Sequence, residues 1–136
     1  MNEIDNKSLK LNLRLVGLLL LLMMSNHAIA GWTQISENEN NIAYADASTI
    51  IKTGSKVKMW DVLNLKNTTN ENYASLKSLQ EYDCKENKSR ILSYSTYSEK
   101  MGSGNVVKSS TSAHEWLPVK HGGTTEKLWK TACEKK

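Results

Sequence analysis

Only two cysteines occur in this chain, Cys84 and Cys133. They constrain the fold more than any other feature, because the residues ahead of them place them in an oxidising compartment. Lys7, Lys10 and Arg14 form a basic zone, Leu15 to Met24 an apolar run of ten residues, and Ala28-Ile29-Ala30 a small-x-small cleavage pattern. Those three zones are a secretory signal, with cleavage expected before Gly31. The apolar run is about half of the ~20 residues a membrane-spanning helix needs, so no stable membrane anchor is expected after cleavage. No cysteine stands at the cleavage position to take a lipid. Two cysteines in an exported chain pair with each other, and with only two the connectivity is not ambiguous.

Residues 31–136 match the common size of one small domain, which often needs a staple to supplement a limited core. Closing a loop of about 50 residues removes roughly 4 kcal/mol of denatured-state freedom in the chain-entropy picture. The whole sequence carries a formal charge of +4. Its lysines alternate with Glu and Asp rather than forming blocks. That is a solvated surface and not a nucleic-acid footprint.

Along the chain the periodicity is mostly that of strands. Residues 31–36 alternate, 37–41 form an Asn-rich turn, and 42–45 return as a second strand. Asp46 is expected to cap a single helical turn over 46–50. Lys56 to Lys66 is the longest β-like run, with Val57, Met59, Leu63 and Leu65 on one face and Trp60 and Val62 on the other, as in a central strand. The run from Tyr73 to Cys84 is the strand expected to lie under the second cysteine. Ser89 to Ser98 returns after a turn, with Ile91, Ser93, Ser95 and Tyr97 opposite Arg90, Leu92, Tyr94 and Thr96. Glycines at 102 and 104 turn the chain into a strand from Val106 to Ser110, and Pro118 keeps the following piece extended.

Thr124 then reads as the N-cap of a helix running to the C-terminus, with Glu126 in its first turn. Thr125, Trp129 and Cys133 fall on one stripe with Leu128 and Ala132 beside them. A helix this short is marginal alone, so docking and the bridge must hold it, and loss of Cys133 is expected to undock it before the sheet unfolds. The fold expected is α+β, an antiparallel sheet of five to six strands with one C-terminal helix packed across it and tied by a disulfide.

With both cysteines placed, the order and spacing of several short pieces become informative. They are Trp32; Tyr44 and Asp46 with Ile50; Val57-x-Met59-Trp60; Ser75-x-Lys77; and Glu81-Tyr82-Asp83-Cys84. They continue with Tyr97-Ser98, Met101-Gly102-x-Gly104-x-Val106-Val107, Trp116-x-Pro118-Val119 and Leu128-Trp129-x-x-Ala132-Cys133. Across essentially all of 31–136 the chain resembles the surface-adhesin protein E-like family of exported bacterial domains. The resemblance implies a non-enzymatic binding protein of the periplasm or cell surface. Its implied partner is a protein of the host matrix or the envelope, and a homodimer is compatible with it. The competing reading is a soluble periplasmic protein that binds a small ligand or modulates an envelope enzyme.

No catalytic constellation is visible. Gly102-Ser103-Gly104 lacks the spacing of a nucleophile elbow, and no C-x-x-C is present to make Cys84 and Cys133 redox-active. His114, Glu115 and His121 form a weak ligand set that reads better as a solvated loop, so neither a metal nor a cofactor is expected. Of the four tryptophans, Trp60 and Trp129 are assigned to the core. Trp32 and Trp116, with His114 and His121 near them in sequence, are the candidate binding surface.

Overall fold

The computed structural model describes residues 31–134, so the secretory signal and the last two lysines lie outside the described residues. Among the described residues seven strands and one α-helix follow in order, with a short 3-10 turn (Lys100–Gly102) between the fifth and sixth strands: β1 (Trp32–Glu37), β2 (Asn41–Thr53), β3 (Lys56–Leu65), β4 (Ser75–Asp83), β5 (Lys88–Tyr97), β6 (Val106–Ser110), β7 (Leu117–Pro118) and α1 (Thr124–Glu134). The first six lie side by side in chain order, each antiparallel to the next, and the two-residue β7 pairs with the start of β5. This is the expected α+β architecture.

Strand β3 lies in the middle of the sheet, between β2 and β4. Its odd positions Val57 and Met59 are buried with Ala45 of β2, Tyr82 of β4, and Leu128 and Ala132 of α1, and Ile35, Ile50 and Trp129 pack around them. The helix therefore lies on the side of the sheet that carries the odd residues of β3. Its buried stripe is Leu128 and Ala132, four residues apart, while Trp129 and Cys133 sit at its margin and Thr125 is exposed. Cys133 is bonded to Cys84, 49 residues earlier, in the turn that leaves β4. The Trp129 indole N–H adds a 3.3 Å hydrogen bond to the Asp83 carbonyl beside that bridge.

Three local expectations need correction. Residues 46–50 are not a helical turn: they are a bulge inside one long strand, where the β2–β3 register shifts between Asp46 and Ile51. Asp46 does accept the Ser48 N–H at 3.0 Å, but an Asp acceptor two residues back serves a bulge as well as a cap. The alternation in β5 is also broken, because the β4–β5 register shifts between Leu79 and Gln80 and leaves Leu92 without a partner. Arg90 and Tyr94 consequently face opposite ways. Finally, Thr124 begins the helix rather than capping it. Its hydroxyl lies 3.4 Å from that of Ser36, and the Glu126 carboxylate reaches back to the Gly122 N–H.

Candidate functional site

Directly paired residues on neighbouring strands share a face, so the register identifies the side of the sheet that the helix leaves bare. One row across it is Trp32, Asp46, Trp60, Leu79 and Ser93, and the next is Gln34, Tyr44, Val62, Lys77, Ser95 and Ser109. Trp60 is held there by the bulge. With β2 bent away, its backbone N–H donates instead to the Thr49 hydroxyl at 3.0 Å, and that hydroxyl donates to the Asp46 carbonyl at 2.6 Å.

Aromatic and cationic groups interleave on this open face. The Lys77 ammonium stands 5.7 Å from the centroid of Trp32 and 5.2 Å from that of Trp60. Farther along, Trp116 lies between Lys56 at 5.2 Å and Arg90 at 4.5 Å. Both distances are within the range of cation–π attraction. Lys56 is also paired with Asp83 at 2.5 Å and Arg90 with Glu81 at 2.7 Å. The Lys56 ammonium, with the Lys85 and Glu86 backbone N–H groups, holds the Asp83 carboxyl below the usual range.

The four residues predicted as a binding surface fall on two sides. Trp32 and Trp116 are half-buried on the open face. His114 runs beside β5 through an N–H bond to the Ile91 carbonyl, its ring edge-on to Tyr94, and the register puts Tyr94 on the helix side. His121 is fully exposed ahead of α1, with Nδ1 at 3.1 Å from Glu126. The histidines are therefore separate from the tryptophans, and no metal-binding group of three His, Cys, Asp or Glu exists among the described residues.

The residues that sequence reasoning missed are Trp60 and Lys77. Trp60 is half-buried on the open face, outside the core cluster under the helix. The run Lys56-Val57-Lys58-Met59-Trp60 carries the signal: its even positions are lysine, lysine and tryptophan, which marks a face in contact with water. Asp61 was also passed over. It is fully buried on the helix side, where it accepts the Ser78 hydroxyl and, at 2.8 Å, the Gln80 amide.

Fold and face together define a class: an antiparallel sheet clasped on one side by a disulfide-tethered helix, its other side presenting aromatic and cationic side chains. Over residues 32–134 the sequence matches Surface-adhesin protein E, and the chain belongs to that family. Among solved structures, crystal form II of Haemophilus influenzae protein E is similar at a TM-score of 0.60 and 17% identity, covering 77% of this chain and 88% of that one. Protein E from non-typeable Haemophilus influenzae aligns at a TM-score of 0.53 and 17% identity, covering 80% and 76%. At that identity the likeness is one of fold. No curated protein sequence matches the chain. Among the described residues no helix is long and apolar enough to cross a membrane.

Proposed function

We propose that this protein is exported, loses residues 1–30, and acts as an adhesin-like, non-enzymatic binding domain over 31–136 that engages a partner of the host matrix or the envelope. The observation that carries the reading is the sheet face opposite the helix, capped at one end by residues 99–102, where Trp32, Trp60 and Trp116 stand half-buried among Lys77, Lys56 and Arg90. Aromatic and arginine side chains dominate binding energies at protein surfaces, and strands on a clasped scaffold hold them in fixed positions. The small-ligand reading has less support. Two cavities among the described residues, about 90 and 190 Å³, are below the ~300 Å³ at which small-molecule sites begin.

Two measurements test this. External protease on intact cells should remove the protein if it is displayed, whereas release by osmotic shock would place it in the periplasm and favour the competing role. Capture of host matrix or envelope proteins by purified protein should fall in Trp60→Leu and Trp116→Ala but not in His121→Ala. Equal capture by all of them would overturn the open face as the binding surface.

A further inference from the structure

Four of the cations on the open face, Lys56, Lys58, Lys77 and Arg90, differ in what already neutralises them. Lys56 and Arg90 have their carboxylates, Asp83 and Glu81. Lys58 and Lys77 make no salt bridge among the described residues, the carboxylate across the ladder from Lys58, Glu81, being held by Arg90, and they flank Trp60 on both sides. Lys58 is two positions before it on the same face of β3. Lys77 is paired across the ladder with Val62, two positions after it. We propose that this band binds a sulfated polysaccharide, with a sugar ring laid against the Trp60 indole and anionic groups on either side taken by Lys58 and Lys77.

The ligand class follows from three features of the band. An ammonium held against two indoles is partly stripped of water, which strengthens its attraction for an anion. The half-buried indoles offer flat apolar surface for the C–H face of a pyranose, and Ser93 in their own row with Tyr44 and Ser95 in the next carry hydroxyls, partners for sugar hydroxyls. The two ammonium-bearing positions are separated by four residues of strand, about 13 Å, which is longer than one sugar ring and calls for a chain. A polypeptide partner would need a dehydrated apolar centre, yet of the large exposed aliphatic side chains only Ile51, across the ladder from Lys58, borders the band, while Val106, Val107 and Leu117 lie outside it. The site is also braced. The Lys77 stem rests on Gly102, where an added Cβ would stand 3.4 Å from its Cδ.

The inference rests on the open face being the binding surface and names the carbohydrate part of the partner as what it holds. Heparin oligosaccharide is the probe, titrated into purified protein at physiological salt beside desulfated heparin and neutral dextran. Heparin alone should bind. Lys77→Gln and Lys58→Gln should each weaken it about tenfold, as should Trp60→Leu, while Lys77→Arg retains it. Lys127→Gln, the same charge change on the exposed side of α1, should leave it unchanged. An intact Cys84–Cys133 bridge and unchanged circular dichroism certify the fold of each variant. No heparin binding, equal binding of the desulfated chain, or equal weakening by Lys127→Gln overturns the proposal. If heparin fails while Trp60→Leu still abolishes capture of a protein partner, the polysaccharide falls and the binding face stands. If both assays fail, both readings fall.

Discussion

At the scale of single residues the helix side of the sheet holds an unusual pair. Asp61 is fully buried with only the Ser78 hydroxyl and the Gln80 amide as hydrogen-bond donors, and burial pushes its carboxyl up to about 7. The unfolded chain releases the same proton near pH 4. Between those values the folded state binds more protons, so this group's contribution to stability falls as pH rises, by up to about 1.4 kcal/mol per pH unit. Asp83 and Glu126 act the opposite way and lower down. Lys56 depresses the first, and the Gly122 N–H followed by Lys130 the second, so what they contribute is lost as pH falls below the usual carboxylate range. Stability should therefore peak on the acid side of neutrality. Asp61→Asn, which removes the charge at equal volume, should raise the urea midpoint at pH 8 and flatten the decline between pH 5 and pH 8. A variant with the wild-type slope would show that Asp61 is ionised in the folded protein throughout.

Tyr82 on the same face is the largest fully buried side chain, and its hydroxyl finds no hydrogen-bond partner. An unmet buried hydroxyl costs about 1–3 kcal/mol. Tyr82→Phe should then be neutral or stabilising in denaturant melts, whereas Tyr82→Ala should cost about 3–5 kcal/mol through the cavity it leaves. A Phe variant destabilised by as much as the Ala variant would mean that the hydroxyl is paired in solution.

At the scale of elements, the strands and the helix were legible because period-2 and period-3.6 patterns report which side is apolar, and the bridge because only two cysteines exist. The departures have one physical source. Bulges between Asp46 and Ile51 and between Leu79 and Gln80 shift the register, and a shift by one residue exchanges faces. Sequence alternation cannot announce that, so Leu92 and everything beyond it in β5 was assigned the wrong way round. Trp60 was misplaced because large aromatics are usually core. The helix also proves less separable than its length implies. Leu128 and Ala132 share one cluster with Ala45, Val57, Met59 and Tyr82, so lifting α1 uncovers the sheet's own apolar face. Cys133→Ser should lower stability by about 4 kcal/mol through the freed 49-residue loop, and helix and sheet should melt together. Trp129 fluorescence and sheet circular dichroism would report one midpoint; a Trp129 transition at lower temperature would restore the picture of an independently docked helix.

At the scale of the whole molecule, a sheet whose strands neighbour each other in chain order ends in two edges, and only one is shielded. Strand β1 lies against α1, with Ser36 and Asn38 reaching Thr124. Strand β6 pairs with β5 alone, and its outer edge begins with Val106 and Val107, 57% and 39% exposed. Edges of this kind template pairing with other chains unless charge, proline or a covering element blunts them, and here Lys108 is the one charge in the strand. The folded protein is exposed to that hazard, and a refolding chain more so, because β6 is short and partnered on one side. Val106→Lys adds a charge where the side chain already meets water. It should leave the unfolding free energy within about 0.5 kcal/mol of wild type while reducing light scattering during refolding at high protein concentration. Unchanged aggregation at unchanged stability would clear this edge and move the weak point of the fold elsewhere.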